Sequence, residues 1–311
     1  MKKWKGDVVF LLIVAVLVGG WIRLYPHPGA SLLSPLDPPA DLDAEPLSYA
    51  SPEGVKLAYR LYEPPGEVEY VLVFLHDTLL HSGWYAELGH GLAGQGIAVY
   101  LPDRRGWGHS GGDRSKVAED RAVLAGDITA MIAAAQSRYP QKKIFLGGHG
   151  RAAGLVMRYV ASGRPVEGVV LISPYVSDAQ PNLSPQGWQA LVVAHPGEAF
   201  LARSGLFDWP VWRVNWPQSM VEADPLIETA LSISWMQETV PDDVEAAYHA
   251  FSVPLLCVQG EADPLFDPDD APALMMLFSA TDKQLETIPG VDYLSVVGVA
   301  ANPIARWLDG R

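Results

Sequence analysis

Apolar runs of strand length alternate with segments of helical spacing along most of the chain after residue 70. The predicted strands are Tyr70–Leu75, Ile97–Leu101, Lys143–Leu146, Gly168–Ile172, Pro254–Gln259 and Lys283–Ile288. The predicted helices are Tyr85–Gln95, Ala118–Arg138, Ala153–Ser162, Ala271–Phe278 and Pro303–Leu308. Strands that alternate with helices in this way are typical of an α/β domain with a doubly wound, mostly parallel sheet.

Two stretches depart from this alternation. Leu47–Ala50 and Val55–Leu61 flank a Pro-Glu-Gly turn, which predicts a β-hairpin at the start of the domain. Residues 175–250 combine prolines, short helical patterns and five tryptophans, and they predict an inserted helical cap over the carboxyl edge of the sheet. The tryptophans either fill the core of the cap or line a ligand pocket beneath it. They are Trp188, Trp209, Trp212, Trp216 and Trp235.

Residues 1–24 predict an N-terminal membrane anchor. Lys2, Lys3 and Lys5 precede the apolar run Val8–Ile22, which is shorter than the ~20 residues of a typical span. We expect an uncleaved, single-pass signal anchor with the lysines on the cytoplasmic side and the globular domain outside the cytoplasm. Cleavage of the segment would instead give a secreted protein. The six prolines of residues 25–46 predict a linker, so that the globular domain comprises residues 47–311.

Composition narrows the classes of function. The net charge of −14 argues against a nucleic-acid partner, because phosphate binding needs basic patches. Cys257 is the single cysteine, so no intrachain disulfide forms. The sequence has no Gly-rich phosphate loop and no haem or redox motif, and we therefore predict no cofactor. His76, Asp77, His81 and His149 are potential metal ligands, but their spacing does not demand a metal site, and none is predicted.

The stretch from Lys143 to Leu155 predicts a buried strand, a sharp Gly-rich turn and a helix. Its turn, Gly148-His149-Gly150-Arg151-Ala152, has the frame of the G-x-S-x-G nucleophile elbow but lacks the serine. A literal match, Gly108-His-Ser-Gly-Gly112, does not open an apolar helix and is not a credible elbow. Ser82 and Ser173 lie near the carboxyl edge of the sheet and are weak alternative nucleophiles.

Four further stretches occur in an order that resembles one superfamily. His76-Asp-Thr-Leu-Leu-His-Ser-Gly-Trp-Tyr85 is similar to an H-G-x-x-E-H-S-x-R-Y loop, and Leu101–Gly111 is similar to a D-x-R-G-x-G-x-S loop. Gly260–Pro264 resembles a G-x-x-D turn, and Asp224-Pro-Leu226 with Trp235 resembles the end of a cap. From about residue 47 to residue 309 the chain thus resembles the α/β-hydrolase superfamily, most closely its monoacylglycerol lipase and lysophospholipase branch (serine aminopeptidase S33-like).

The resemblance implies a catalytic triad that is degenerate in this chain. The nucleophile position falls at Gly150, the acid at Asp263 and the base at Tyr293, so the serine and the histidine are both absent. With a pKa of ~10, tyrosine is a poor base near neutral pH. The oxyanion donors would be the N–H of Arg151 and that of Asp77 or Thr78. Asp77 replaces a glycine of the family and would repel an oxyanion unless it is paired, for which Arg151 is a candidate, or turned away.

Three hypotheses of function follow from these residues. The first is a membrane-tethered pseudoenzyme that binds an apolar or acyl ligand or a protein partner under its cap. The second is a serine hydrolase of the lysophospholipase, monoacylglycerol lipase or esterase type that uses a displaced catalytic set. The third is a membrane-associated scaffold. Separate changes at nucleophile, base and oxyanion loop favour the pseudoenzyme over a single engineered or erroneous substitution.

Overall fold

A computed structural model describes residues 33–78, 80–112, 122–175, 192–194, 210–214, 216–228, 230–232, 239, 241, 243–265 and 268–311. The described strands are β1 Leu47–Ala50, β2 Lys56–Tyr62, β3 Tyr70–Leu75, β4 Ile97–Pro102, β5 Lys143–His149, β6 Val169–Ile172, β7 Val192–Ala194, β8 Pro210–Val214, β9 Ala230–Ser232, β10 Leu255–Gly260 and β11 Lys283–Ile288. The described helices are α1 Ala86–Ala93, α2 Ala122–Arg138, α3 Ala152–Ala161, α4 Gln218–Ala223, α5 Val244–His249, α6 Ala271–Leu277, α7 Ser295–Val299 and α8 Ala301–Leu308.

The predicted doubly wound, mostly parallel sheet is confirmed. Eight strands lie in the order β1-β2-β4-β3-β5-β6-β10-β11, and every pair from β4 to β11 is parallel. The β1–β2 and β2–β4 pairs are antiparallel, which places the predicted hairpin at one edge. The central strands are buried along almost their whole length, because buried residues pack on both faces of the sheet. The strands therefore present their carboxyl ends at a common edge, where the candidate site lies.

The described part of the cap is not purely helical, which corrects one detail of the predicted helical cap. β7, β8 and β9 form a separate antiparallel sheet, and the helix α4 follows β8. The sequence of β7 and β8 contains β-branched and aromatic residues, which favour strands when they pair with a neighbour. Trp216 is buried and its indole N–H donates to the Glu228 carbonyl, so it contributes to the core.

Residues 33–46, which we call the N-terminal strap, pack against the domain although the sequence predicts a linker there. Leu33 and Leu42 are buried in the same core cluster as the site residues. The buried Arg60 guanidinium donates to the carbonyls of Asp41 and Leu42 at 2.8 and 2.6 Å. The described part of the predicted linker is therefore attached to the domain.

The predicted anchor, residues 1–24, lies outside the described residues. Within the part of the chain that the structure describes, no helix has the length and apolar character needed to cross a bilayer.

Candidate functional site

The turn between β5 and α3 has the geometry of a nucleophile elbow. Gly150 has a φ of +55°, a left-handed backbone that glycine adopts without steric cost. Its N–H donates to the Ile172 carbonyl of the neighbouring β6 at 2.9 Å, and its carbonyl accepts from Tyr175 N–H at 2.9 Å. These bonds fix the turn at the carboxyl edge of the sheet. The elbow is present, and a hydrogen atom stands where its nucleophilic side chain would be.

The space that a side chain at residue 150 would need is filled by two other side chains. A Cβ atom added to Gly150 would overlap the Tyr293 hydroxyl and would lie 2.7 Å from both Cγ and Oδ1 of Asp77. Real Cβ atoms essentially never approach other atoms so closely. Glycine is thus required at residue 150 by its neighbours as well as by its backbone conformation.

The Asp77 carboxylate occupies the place at which a hydrolase would stabilise an oxyanion. Its Oδ1 accepts the Arg151 N–H at 2.8 Å, and its Oδ2 accepts the Tyr293 hydroxyl at 2.6 Å. The N–H of the residue after the nucleophile is one of the two oxyanion donors of this fold. The expected pairing of Asp77 with Arg151 therefore occurs through the Arg151 backbone, while the guanidinium lies over the Tyr175 ring.

Four buried residues close a ring of hydrogen bonds around this carboxylate. The Asp77 N–H donates to Tyr85 Oη at 2.8 Å, and Tyr85 Oη lies 2.8 Å from His149 Nδ1. His149 Nε2 lies 3.0 Å from the Tyr293 carbonyl, which can only accept, so Nε2 carries the hydrogen. In a neutral imidazole Nδ1 then accepts the hydrogen of the Tyr85 hydroxyl. The Tyr293 hydroxyl donates to Asp77 Oδ2, which closes the ring of hydrogen bonds. Every polar group in the ring has a partner of the correct type.

Burial sets the protonation states in this ring. It lowers the pKa of His149 to about 4, against smaller opposing effects of the Asp77 charge and the bond to the Tyr293 carbonyl, so His149 is neutral near pH 7. Burial and then the charge of Asp77 raise the pKa of Tyr293 and that of Tyr85 well above the ordinary value for tyrosine. Tyr293 therefore stays protonated and acts as a donor, and it offers no base near neutral pH.

A tight turn in front of α7 holds Tyr293 in position. Asp292 Oδ1 accepts from Leu294 N–H and from both N–H and Oγ of Ser295, at 2.7 to 3.1 Å. Its Oδ2 accepts from Ser34 N–H at 2.7 Å, so the N-terminal strap is fastened to this turn. Burial alone would raise the pKa of Asp292, but the hydrogen bonds from Ser295 and Ser34 outweigh it and hold that pKa below its usual range. The Tyr293 ring lies against His149, with centroids 4.4 Å apart.

Asp263, the predicted acid, follows β10 and is buried. Its Oδ1 accepts from Leu265 N–H at 2.8 Å, and its Oδ2 accepts from Gln259 Nε2 at 2.9 Å. Its charge contributes to the raised pKa of Tyr293, which places the two residues in the same electrostatic environment. In this chain the carboxylate bonds to Gln259 and to the Leu265 N–H, and the sequence has a tyrosine at the position of the histidine that it would orient in a hydrolase.

The residues considered as metal ligands from the sequence form hydrogen bonds to different partners. His76 bonds through Nδ1 to the Asp77 carbonyl and accepts Arg104 N–H at Nε2. His81 Nε2 lies 2.5 Å from Asp224 Oδ2, a contact that joins the loop after β3 to the end of the cap. His149 belongs to the ring described above. In the described ranges no three such residues are grouped so that they could hold a metal ion.

The three alternative serines differ in their surroundings. Ser110, in the literal G-x-S-x-G match, donates to the Asp103 carbonyl and accepts from Ala58 N–H, so it braces a turn. Ser82 and Ser173 are buried, and among the described residues neither Oγ has a hydrogen-bond partner. No described histidine is therefore positioned to activate either hydroxyl. Ser173 is the one described non-glycine residue with positive φ, at +40°.

The fold and the elbow define an α/β-hydrolase-fold protein. The family model described as serine aminopeptidase, S33, matches residues 66–292, which is more than half of the chain. The chain therefore belongs to this family. It is 29% identical to the monoglyceride lipase of Mus musculus over 276 residues, covering 83% of this chain and 88% of the relative. It is also 24% identical to the monoacylglycerol lipase of Mycolicibacterium smegmatis, covering 78% and 88%. The expected monoacylglycerol lipase-like branch is confirmed.

Solved structures show the same fold. A soluble variant of monoglyceride lipase from Saccharomyces cerevisiae, in complex with a substrate analogue, superposes with a TM-score of 0.67 and 16% identity, covering 92% of this chain and 98% of that chain. A monoacylglycerol lipase from Paleococcus ferrophilus superposes with a TM-score of 0.57 and 21% identity, covering 81% and 98%.

Two members of the hydrogen-bonded ring were not assigned a role from the sequence. Tyr85 was visible as the last residue of the His76–Tyr85 motif, and His149 as the residue inside the elbow. Tyr85 ends the polar motif and directly precedes an apolar helix, and this position could have indicated that its hydroxyl is buried near the site. Its partnership with His149 spans 64 positions and has no local pattern.

Proposed function

We propose that this chain is a non-catalytic member of its family that binds an apolar or acyl-type ligand beneath its cap while tethered to a membrane. One observation carries the proposal: the Asp77 carboxylate accepts the Arg151 N–H and the Tyr293 hydroxyl. A negative charge is thus built into the place where acyl transfer develops one, which opposes the transition state of ester hydrolysis.

The missing nucleophile and base support the same conclusion. Gly150 has no side chain, and its neighbours leave no room for one. Tyr293 holds its proton firmly because burial and nearby carboxylates raise its pKa. Loss of any one of these parts costs a serine hydrolase orders of magnitude in rate, on the order of 10³ to 10⁶. Here glycine stands at the nucleophile position, tyrosine stands at the base position, and the remaining oxyanion donor, the Arg151 N–H, is bonded to Asp77.

The ligand class follows from the architecture that is retained. The relatives are named for monoglycerides, whose long acyl chain needs an apolar cleft. The core around the elbow continues into Trp216, Met220 and Ile227 at the end of the cap. Sites between a sheet edge and a cap are where small apolar molecules commonly bind. A protein partner on the cap is the other occupant that this site would accommodate.

The tether is proposed from the sequence of residues 1–24. Lys2, Lys3 and Lys5 before the apolar run would stay on the cytoplasmic side, so the domain would lie outside the cytoplasm. Extraction of the full chain from membranes by detergent, but not by alkaline carbonate, would support an uncleaved anchor. An intact mass that lacks the N-terminal segment would show cleavage and secretion instead.

A second candidate function is serine hydrolysis through a displaced nucleophile. Ser173 favours it, because a buried hydroxyl on a left-handed, strained backbone next to the elbow is unusual. Against it, no described histidine bonds to this hydroxyl, and Asp77 still holds the Arg151 N–H. We therefore place it below the binding function.

The binding function is tested with the full chain purified in mild detergent. Native mass spectrometry should reveal a retained lipid, and the same sample should not hydrolyse 1-oleoylglycerol above the rate of a heat-denatured control. Retention of a protein from solubilised membranes without any lipid would favour a scaffold. Hydrolysis that scales with protein concentration and disappears in Ser173→Ala would contradict the proposal.

A further inference from the structure

We propose that Asp77 selects the ligand of this site by charge, so that the site accepts an apolar molecule ending in a neutral or cationic hydrogen-bond donor and rejects fatty-acid anions. The inference rests on the proposed binding function and names its ligand class. It concerns a residue at which the chain departs from the family motif, where a glycine is replaced by a carboxylate.

The hydrogen-bond inventory at the elbow gives the first argument. An anionic head group needs N–H donors, and the fold supplies them from the residue after the nucleophile position and from the loop after β3. In this chain the Arg151 N–H is already bonded to Asp77 Oδ1, and of the two candidate donors in the loop the Asp77 N–H is bonded to Tyr85 Oη, which leaves the Thr78 N–H as the other candidate. A ligand carboxylate at the elbow would compete with the Asp77 carboxylate for the Arg151 N–H and would have to displace it.

The capacity of the Asp77 carboxylate gives the second argument. Each carboxylate oxygen can accept about two hydrogen bonds. Among the described residues Oδ1 accepts one such bond, from Arg151 N–H, and Oδ2 accepts one, from the Tyr293 hydroxyl. Each oxygen therefore retains a lone pair, which can accept a hydroxyl, amide or ammonium hydrogen of a ligand.

The electrostatic field around the elbow gives the third argument. The charges of Asp77 and Asp263 both raise the pKa of Tyr293, after burial itself. At Tyr85 the Asp77 charge also outweighs the opposing effect of Arg104. Arg104 lies to one side, with one N–H group donating to Thr78 Oγ1 and its guanidinium over the Trp107 ring. The groups that face the elbow thus experience a negative environment, which disfavours a second negative charge in a partly dry site.

A competition experiment with ligands that differ only in the head group tests the inference. Radiolabelled 1-oleoylglycerol is bound to the full chain in mild detergent, at a pH above the midpoint of an oleate titration in the same detergent, so that oleate is ionised. Oleyl alcohol, oleylamine and oleate, which share one hydrocarbon chain, are then compared as competitors. We expect the concentration that displaces half of the labelled 1-oleoylglycerol to be at least about tenfold higher for oleate than for oleyl alcohol. A like charge within a few ångströms lowers the affinity by more than about tenfold.

The variant Asp77→Asn keeps the size and one acceptor of the side chain but removes its charge. It should bring the ratio of the half-displacing concentrations of oleyl alcohol and oleate close to one. Asp309→Asn, which removes the same charge from an exposed turn after α8, should leave the ratio unchanged. Equal competition by oleyl alcohol and oleate in the wild-type chain overturns the inference, whether or not Asp77→Asn folds. A ratio that persists in folded Asp77→Asn overturns it as well. Failure of the wild-type chain to bind the labelled 1-oleoylglycerol rejects the acyl-ligand function, and the inference falls with it.

Discussion

The Tyr293 hydroxyl donates a 2.6 Å hydrogen bond to Asp77 Oδ2, joining two positions 216 residues apart in the sequence. The resemblance of the motifs assigns Tyr293 to the position of the catalytic base and Asp77 to the oxyanion loop. Their bond converts two catalytic positions into a structural contact that spans the elbow at Gly150. The residues at 77, 150 and 293 are therefore physically coupled, since Gly150 leaves free the space that the Tyr293 hydroxyl and the Asp77 carboxylate fill, and these two groups bond to each other.

Tyr293→Phe should destabilise the domain by about 1–3 kcal/mol, because the buried Asp77 carboxylate loses a charge-assisted donor. The free energy of unfolding from urea titration measures the effect. Tyr100→Phe is the matched control, since its buried hydroxyl has no hydrogen-bond partner among the described residues, and its removal should be close to neutral. Equal losses in the two variants would show that the Tyr293–Asp77 bond contributes nothing.

Gly150→Ala should destabilise the wild-type domain by roughly 2–4 kcal/mol, because the added methyl group meets the Tyr293 hydroxyl and the backbone is left-handed. In a Tyr293→Phe background the loss should shrink by about 1 kcal/mol or more, since the overlapping oxygen is gone. A double-mutant cycle measures this coupling. Strict additivity would mean that the two residues do not compete for the same space.

His149 should make the domain less stable in mild acid. Its folded pKa of about 4 lies below the unfolded value of ~6.5, so between these values the unfolded chain binds the extra proton and stability rises with pH. On lowering the pH from 7 to 5, this residue should cost ~2 kcal/mol of unfolding free energy.

The variant His149→Gln should flatten that part of the pH profile relative to the wild type. The exposed His249 serves as the control, because His249→Gln should leave the profile as it is. Parallel profiles for all three proteins would contradict the neutral, buried state of His149.

The N-terminal strap should contribute to stability although its composition predicts a linker. Leu42→Ala should cost about 2–4 kcal/mol in unfolding free energy, because the side chain is buried in the main core cluster. Leu47→Ala, on the neighbouring β1, should cost less than about 0.5 kcal/mol, because Leu47 is 51% exposed. Similar small values for both would mean that the strap is detached in solution.

The sequence was sufficient for the strands and the elbow because both have local signals. β3 and β11 have the predicted bounds, and the ends of the other predicted parallel strands shift by three residues or fewer. The elbow frame around Gly150 is a local pattern, and Gly150 has the positive φ that is typical of such an elbow. Helix α7 was not predicted, since its short segment Ser295–Val299 gives little periodicity.

The bonding at the site and the packing of the strap could not be predicted, because they depend on contacts between distant segments. The chain offers Asp77, Tyr85, His149 and Tyr293 as separate polar residues, and only the folded sheet brings them into one ring. Proline content made residues 33–46 look like a linker, whereas burial of Leu33 and Leu42 depends on grooves formed by other elements. The strands in the cap depend in the same way on pairing partners.

Intact-protein mass spectrometry after treatment with a fluorophosphonate tests the central claim most directly. The probe forms a covalent adduct with an activated serine. The variant designed to react combines Gly150→Ser, Tyr293→His and Asp77→Gly, because these changes restore the nucleophile, the base and a free oxyanion donor. We predict no adduct on the wild-type chain under conditions that label an active family member. A stoichiometric adduct on the wild-type chain, lost on substitution of one serine such as Ser173→Ala, would contradict it.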